Sequence, residues 1–560
     1  MSKQADDAAK FAREKLGAKV HEMAGAAGLR VLKGNEGDGG GESRPWIELP
    51  GSGRLLSQFA KDCGACLASE AVFRRESVAV TVNHETGALD MITPSRFRTL
   101  IEKYAVTHKI YYESSGVRGG PKTPVNDPAS MTQECAKGTL EADVFMNALR
   151  KIARVNQVRM PVMRADGKVE LLREGYDDAS QTYTLPSDVV INEELKPAEG
   201  AQMLRDYLKE FPFSDERSLA VAIAEMVALY VYGLQELTAN RMGFIFKANK
   251  ERSGKSLLAQ FGITAPYGLP KGQTISNQEE MKKLLDATAL QGTPYLFFDN
   301  LTGNIKSNLL ESYMTTPVWT GRVMGSQKTF DAPKGTIVIL TGNNITTSAD
   351  ITGRCLLCVL YTEDADPQAR KLSRIITPQY LARPKVRGDL LSALWSLVRG
   401  WDEAGRPAGS RRIAGFEEWS NLVGGIVMAA GFPDPLQKPK DEEATNMAEV
   451  DAREMVKQLV ARMPAGKGAH EFTFQELIDV CVEFKCFDWK LEGKMRGGAE
   501  GESDYFECNS KSASAMGRLF GTDLAGQVFT LDGGRRVRFG KRGHNRHRRY
   551  QVEILEEKKA

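Results

Sequence analysis

Gly254, Lys255 and Ser256 have the residue types and spacing needed to bind a polyphosphate. An apolar run beginning at Gly243 and a polar loop over 249–253 precede them, and an apolar helical pattern follows. Amides at a helix start face anions, a lysine pairs with terminal phosphates and a serine hydroxyl ligates Mg²⁺. The pattern predicts a strand, a phosphate-binding loop and a helix. The competing interpretation is a surface turn before a helix.

The loop departs from the usual Gly-x-x-x-x-Gly-Lys-Ser/Thr pattern at Asn249, which stands where the first glycine would be. Asn tolerates a positive φ better than most non-glycine residues, so the loop can still close. We expect a nucleoside triphosphate here, with Lys255 on its β- and γ-phosphates. The predicted contact residues are Asn249, Lys250, Glu251, Arg252, Ser253, Gly254, Lys255, Ser256 and Leu257.

The segment 293–300 predicts a buried parallel strand that ends in an acid. Asp299 would lie at the carboxyl edge of the sheet, where ligands bind, and would hold Mg²⁺ together with Ser256. Asn300 follows, at the place where many such ATPases carry a glutamate that orients water. An amide cannot accept the proton, so the general base stays open. By itself the segment also fits a core strand capped by an aspartate.

Two further apolar strands carry polar residues at their ends. Asn343 follows the run 335–341, and we expect it to contact the γ-phosphate or the attacking water. A tight Gly-Asn turn is the alternative. Arg354 precedes the run 355–360 and has the position of an arginine finger lent to a neighbouring subunit, with a plain surface arginine as the alternative.

Together these residues resemble the AAA+ ATPase core of superfamily 3-like replicative helicases encoded by phages, plasmids and related mobile elements. The segments 169–177, 416–419 and 431–435 are similar to parts of such proteins outside the core. The resemblance implies an ATP- and Mg²⁺-dependent DNA helicase that works as a homo-hexameric ring. Gly353 stands where many relatives carry a second arginine, which leaves Arg354 as the finger and Arg322 in reserve.

The segment 318–330 lies just before the third predicted strand. In the helicases that the chain resembles, a β-hairpin at this place projects into the pore of the ring. We expect 325–327 to form its turn and Lys328 to meet a DNA phosphate near the tip. An ordinary surface hairpin is the alternative.

The C-terminal part carries a second cluster of candidate residues. Helical patterns over 472–481 and 509–520 are followed by two strands around an Asp-Gly-Gly turn and a dense basic run over 535–549. This order is similar to a winged-helix domain, and the basic run is typical of phosphate binding. Ser510 and Ser512 would face the groove beside the charged candidates. The predicted DNA contacts are Lys511, Arg518, Arg535, Arg536, Arg538, Lys541, Arg542, Arg546, Arg548 and Arg549.

The predicted fold class is α/β: an AAA+ core with a parallel sheet flanked by helices, a mixed N-terminal domain, a helical lid and a winged helix. A chain of 560 residues has room for several domains. The predicted divisions are 1–46 (helix and linker), 47–200 (N-terminal domain), 201–240 (helical collar), 241–375 (ATPase core), 376–448 (lid and connector) and 449–560 (winged helix).

Composition narrows the setting. The net charge is only +3, so contacts with DNA must come from local patches. We expect no apolar run of membrane-spanning length and no signal peptide, which indicates a cytoplasmic protein of a bacterial host or phage-infected cell. The pairs Cys63/Cys66 and Cys355/Cys358 have zinc-ligand spacing but lie far apart in the chain, so buried thiols are the favoured interpretation.

Two functional classes fit these residues. The first is a DNA motor that couples ATP hydrolysis to movement of the hairpin. The second is a nucleotide-switched initiator or loader that assembles on DNA without processive unwinding. The hairpin favours the first class, and Asn300 in place of a glutamate leaves room for the second.

Overall fold

A computed structural model of the chain describes residues 44–556 apart from internal gaps. The gaps are 52, 115–121, 249–251, 275–276, 303, 325–327, 344, 363–373, 438–446, 488–489, 498–504, 532–534 and 544–548. The predicted N-terminal helix over 5–30 and the linker over 34–43 lie outside the described residues. The chain divides into two compact units. The first comprises Met1–Leu301, Ser307–Asn343 and Gly353–Gln437, and the second comprises Thr302–Lys306, Asn344–Thr352 and Lys438–Ala560.

The N-terminal part of the first unit is a mixture of short strands and helices. Strands β2, β3, β4 and β7 form one sheet in the order β4-β3-β2-β7, and β1, β5 and β6 form another. Phe59, Phe97 and Phe145 are fully buried in its core. The elements are β1 Trp46–Glu48, α1 Leu56–Leu67, β2 Val72–Arg75, β3 Val78–Val82, β4 Leu89–Met91, α2 Pro94–Tyr104, β5 Val106–Ser114, β6 Lys122–Pro128, α3 Gln133–Glu141, α4 Asp143–Ala148, β7 Arg150–Lys151, β8 Arg154–Asn156, β9 Pro161–Met163, β10 Val169–Leu171, β11 Gly175–Asp177 and β12 Thr182–Thr184.

Two helices, α5 Pro197–Leu208 and α6 Glu216–Tyr230, lead into the core. The expectation that no segment reaches membrane-spanning length was wrong. Helix α6 and its following turn, Glu216–Leu234, are long and apolar enough to cross a membrane by length and composition alone. However, 89% of the apolar stretch within this segment is buried inside the protein. Asp215 begins α6 by accepting a hydrogen bond from the Ser218 amide, and the helix packs in the largest hydrophobic core.

The core of the first unit is a five-stranded parallel sheet with the order β14-β15-β19-β13-β21. Apart from the two-residue β14, its strands are nearly continuous apolar runs, as expected of a sheet covered on both faces. This confirms the predicted parallel α/β arrangement. The elements of this part of the first unit are β13 Gly243–Ala248, α7 Lys255–Tyr267, β14 Gly272–Gln273, α8 Gln278–Gln291, β15 Tyr295–Leu301, α9 Asn308–Thr315, β17 Val318–Arg322, β18 Thr329–Pro333, β19 Ile337–Asn343 and β21 Cys355–Leu360. The short elements β16 Asn304–Ile305, β20 Thr346–Thr347 and α10 Ala349–Gly353 fall in chain segments of the second unit, apart from Gly353.

Three helices complete the first unit: α11 Pro378–Leu381, α12 Pro384–Glu403 and α13 Glu417–Ala429. Trp419 of α13 is fully buried and packs against Phe244 of β13, with ring centres 6.1 Å apart. The helices that follow the sheet therefore share its hydrophobic core.

The C-terminal part of the second unit contains three α-helices and a four-stranded antiparallel sheet among its described residues. The sheet has the order β22-β27-β26-β25, and the hairpin β23–β24 is separate from it. Phe520, Phe539 and Tyr550 pack together in its core. The elements are α14 Met447–Ala461, β22 Ala469–Phe472, α15 Phe474–Glu483, β23 Gly493–Arg496, β24 Tyr505–Cys508, α16 Ser510–Arg518, β25 Val528–Thr530, β26 Arg536–Arg542 and β27 Arg549–Glu556.

Candidate functional site

The loop after β13 turns into α7 at Gly254, which has φ +93°. L-residues with a side chain rarely adopt this conformation, and a Cβ here would lie 3.1 Å from Phe211 Cε1. Glycine is therefore required for both backbone and space. Because Gly254 has no side chain to cap α7, the first-turn amides are left to other acceptors, as a phosphate site needs. Phe211 was not predicted as a neighbour of the loop.

Lys255 is the first residue of α7 and is buried, with 6% of its surface exposed. Ser253 is fully buried, Arg252 is exposed with φ +60°, and Ser256 and Leu257 are half-buried. A lysine is rarely buried unless its charge is paired, and a helix N-terminus favours a bound anion, so a phosphate would suit both groups. The predicted contacts Asn249, Lys250 and Glu251 lie outside the described residues.

Asp299 is held at the same edge of the sheet by a residue that the sequence analysis missed. Thr341 of β19 donates a hydrogen bond from Oγ1 to Asp299 Oδ1 (2.5 Å) and accepts one from the Asn300 amide (3.0 Å). The pairing of β15 with β19 shifts register between Phe298 and Leu301, where Asn300 has φ +53°. Bulges of this kind re-aim side chains next to functional sites. A lone polar residue ending an apolar strand was the available signal for Thr341.

Asn343 ends β19 in register with Ala248, the last residue of β13. The backbone of the predicted γ-phosphate contact is therefore adjacent to the start of the phosphate loop. The Asn300 side chain belongs to an exposed residue, and its backbone amide also bonds to Asp299 Oδ1 (2.9 Å). The general base that was left open in the sequence is not identified by these contacts.

The donor set fits a magnesium nucleotide. Both described hydrogen bonds of the Asp299 carboxylate are accepted by Oδ1. Carboxylate and hydroxyl oxygens are the ligands that Mg²⁺ prefers, and Ser256 lies in the first turn of α7. Adjacent strands are about 4.8 Å apart, so one intervening strand puts β15 about 10 Å from β13. That spacing leaves room for a phosphate chain and its ion.

Arg354 is not part of this constellation. It directly precedes β21, an edge strand, and its carbonyl accepts the Gly243 amide at the start of β13 (2.9 Å). The loop follows the other end of β13, about 16 Å away at about 3.3 Å per residue. The half-buried Arg354 also donates to the Glu311 carbonyl of α9 (2.7 Å). Arg322, the reserve finger, is an exposed residue at the end of β17.

The predicted hairpin is confirmed as β17 and β18, which pair antiparallel from Val318↔Pro333 to Arg322↔Thr329. Its turn, 325–327, lies outside the described residues. The Lys328 carbonyl accepts the Val323 amide near the turn end of the hairpin. The Lys328 ammonium forms an ion pair with Glu141 of α3 (3.1 Å). This predicted DNA contact therefore has a protein partner in the structure.

On α16, the exposed residues Lys511, Ser514 and Arg518 recur at i, i+3 and i+7 and so share one face. The prediction that Ser512 faces a groove was wrong. Ser512 is 3% exposed, its Oγ donates to the Lys490 carbonyl (2.7 Å) and it accepts the Glu492 amide (3.2 Å). Helical periodicity would have indicated Ser514 instead.

The basic ribbon consists of β26 and β27, and its exposed charges are of both signs. Arg538 pairs with Glu553 (3.6 Å), its register partner, and Arg542 donates to Gln551 (2.6 Å). The basic run over 535–549 itself contains no acid, but the fold pairs it with β27, which contributes Glu553 to the same surface. Arg535, Arg536, Lys541 and Arg549 are exposed, and Arg546 and Arg548 lie outside the described residues.

The cysteine pairs are structurally separate in the described part of the chain. Cys355 and Cys358 are buried within β21, where desolvation raises the pKa of the Cys355 thiol to about 12. Burial also raises the pKa of Cys66 to about 12. Among the described residues, no group of three or more His, Cys, Asp or Glu side chains is arranged to hold a metal ion.

No protein-family model and no curated protein matches the sequence. Among solved structures, the chain is similar to the apo NrS-1 C-terminal region (305–718), with 10% identity and TM-score 0.34 over 80% of this chain and 99% of that one. A second apo form of that region gives 9% identity and TM-score 0.32, over 83% and 100%. The JCV helicase gives 13% identity and TM-score 0.20, over 42% and 68%.

Proposed function

We propose that this chain is an ATP-dependent DNA helicase or translocase that replicates a phage, plasmid or other mobile element in the cytoplasm of a bacterial host. One observation carries the proposal. A left-handed glycine and a buried lysine begin α7 at the sheet edge where Thr341 fixes Asp299. A phosphate loop beside a fixed acid is the arrangement that nucleoside triphosphate hydrolysis requires.

Each residue then has a role in phosphoryl transfer. The α7 amides and Lys255 bind the phosphates and offset the charge that develops on them. Ser256 and Asp299 would hold Mg²⁺, which would supply positive charge to offset that of the phosphates. Thr341 fixes the rotamer of Asp299, and Asn343 orients the attacking water or the γ-phosphate. Such catalysis depends on positioning and electrostatics more than on a strong base.

The position of Arg354 supports a ring with nucleotide between subunits. Within its own chain Arg354 lies at the amino edge of the sheet, about 16 Å from the phosphate loop. An arginine at that edge reaches a transition state only on a neighbouring subunit. We propose a homo-hexamer in which each Arg354 completes its neighbour's site.

DNA contacts are proposed on two surfaces. Lys328, near the turn of the β17–β18 hairpin, would exchange Glu141 for a phosphate when a strand enters the pore. In the C-terminal part, the exposed face of α16 with Lys511 and Arg518 would bind DNA together with the exposed basic residues of β26 and β27.

A nucleotide-switched initiator or loader is the second candidate, and Asn300 favours it. The amide cannot accept a proton, and the described contacts supply no other base. Slow hydrolysis suits a protein that changes state once on DNA better than one that steps along it.

Strand displacement on a forked duplex separates these candidates. Full-length protein with Mg²⁺-ATP should unwind the fork, whereas Lys255→Ala should bind DNA but neither unwind it nor hydrolyse ATP. Lys209→Ala, an exposed lysine of the first unit, is the matched control. ATP-dependent DNA binding without displacement by the parent would support the switch. Normal hydrolysis by Lys255→Ala would remove the site assignment.

A further inference from the structure

Asp286 is a buried carboxylate on α8 that the proposed chemistry does not use. The residue is 9% exposed. Its side chain accepts hydrogen bonds from Trp319 Nε1 (2.7 Å) and the Arg322 amide (3.2 Å), both on β17, and from Lys282 Nζ on α8. Burying a carboxylate costs folding free energy unless hydrogen-bond donors fill its acceptor sites. The three donors therefore stabilise Asp286 in this position.

The hairpin side of the contact is closely packed. Trp319 is 6% exposed and meets Tyr313 of α9 edge to face, with ring centres 4.9 Å apart, while Lys282 Nζ lies 4.7 Å from its centre. A Cβ on Gly321 would come within 2.5 Å of Phe330 and 2.9 Å of Asp286 Oδ1. Strand β17 therefore has little freedom to slide along α8.

Helix α8 runs between the two edges of the sheet. It begins after β14, whose Gly272 lies beside Asp299, since a Cβ there would be 3.8 Å from the Asp299 Cβ. It ends at Gly292, where the Arg75 guanidinium donates to the Leu290 (2.9 Å) and Ala289 (3.3 Å) carbonyls. At 1.5 Å per residue, Asp286 is about 12 Å along the helix from Gln278, the first residue of α8.

We infer that Asp286 is a positioning residue that makes strand β17 of the β17–β18 hairpin move as one body with α8. A movement of α8 caused by a change at the Asp299 edge would then also displace Lys328, because the Asp286 contact joins α8 to the hairpin. This inference rests on the proposed function, since it concerns how nucleotide turnover reaches the DNA-contacting hairpin.

Hydrogen exchange of the full-length protein tests it. In the parent, amides over 318–333 should differ in protection between ADP and a non-hydrolysable ATP analogue. Asp286→Asn should lose that difference, because an amide has one acceptor oxygen for three donors. Its stimulation of ATP hydrolysis by single-stranded DNA should also fall about tenfold or more. Asp331→Asn is the matched control: that carboxylate accepts from Thr320 within the hairpin (2.6 Å), and the variant should behave as the parent.

Calorimetry with the same ATP analogue distinguishes failure of the proposed function from failure of the proposed role of Asp286. A parent that binds no nucleotide would remove the proposed function itself. A parent that binds nucleotide without any difference over 318–333, or an Asp286→Asn protein that binds it and keeps the difference, would overturn the role of Asp286. If Asp286→Asn does not fold, Trp319→Phe removes one donor while keeping a ring, and should reduce the difference by the same route.

Discussion

Gly254, Lys255 and Thr341 carry the site at the scale of single residues. Gly254 and Lys255 could be predicted because a tight anion-binding turn restricts backbone and charge to few residue types. Thr341 could not be assigned a role, since its hydrogen bond to Asp299 depends on which strand lies next to β15. The sheet order shows that β21, which Arg354 precedes, is an edge strand, and the distance of Arg354 from the loop follows from the strand register.

Thr341→Val should lower the rate of ATP hydrolysis about ten- to a hundredfold while leaving nucleotide affinity within about threefold. Valine keeps the branched shape but removes the hydroxyl that fixes Asp299. Steady-state kinetics together with calorimetry would measure both effects, and Thr341→Ser should restore most of the rate. Parent-like hydrolysis by Thr341→Val would show that the Asp299 rotamer does not depend on this contact.

Lys334 should give the protein a pH-dependent stability. It is 1% exposed and donates to the Met314 carbonyl (3.0 Å), and burial, with a smaller effect of Arg241, lowers its pKa to about 7. An unfolded lysine has a pKa of about 10.4, so the unfolded state binds more protons between these values and stability rises with pH there. Below about pH 7 Lys334 is charged in the folded and the unfolded state, so the unfolding free energy is lowered by the full cost of burying this charge.

Relative to Lys334→Met, the parent should therefore gain up to about 1.4 kcal/mol of unfolding free energy per pH unit between pH 7 and 9. Urea unfolding of both proteins at pH 7, 8 and 9 measures the difference, and taking the difference cancels the titration of cysteines and tyrosines. A constant difference across this range would mean that Lys334 does not titrate in the folded protein.

At the scale of elements, continuous apolar runs predicted the strands well because parallel strands are buried on both faces. The predicted strands over 293–300 and 335–341 correspond to β15 Tyr295–Leu301 and β19 Ile337–Asn343. The joint between α8 and the hairpin was missed, because Asp286 and Trp319 are 33 residues apart and neither stands in a recognisable motif. The acids of β27 were missed for the same reason, since only the register pairs them with β26.

Because Arg538 pairs with Glu553, we expect the C-terminal basic residues to contribute unequally to DNA binding. Lys511→Ala with Arg518→Ala should weaken DNA binding and reduce the slope of log affinity against log salt by about 1 per lost phosphate contact. Arg538→Ala should change the slope less, because its charge is already balanced. Fluorescence anisotropy over a salt series would measure this. Equal slopes in parent and double variant would exclude α16 from the interface.

At the scale of the whole molecule, we predict that one chain cannot form a complete ATP hydrolysis site, because Arg354 must come from a neighbouring subunit. Arg354→Ala and Lys255→Ala should each hydrolyse ATP poorly, and mixing them should partly restore turnover. In a mixed ring, some sites combine Lys255 from one variant with Arg354 from the other. Melting temperatures of both variants control for folding, since Arg354 also bonds to Glu311. Absence of recovery would favour a role for Arg354 within its own chain.

Binding of a triphosphate at Lys255 is the claim on which the motor, the ring and the α8 joint all depend. Titration of the full-length protein with Mg²⁺ and a non-hydrolysable ATP analogue in a calorimeter tests it most directly. We predict saturable heat for the parent and none for Lys255→Ala at an unchanged melting temperature. No heat from the parent, or the same isotherm from both proteins, would contradict the account.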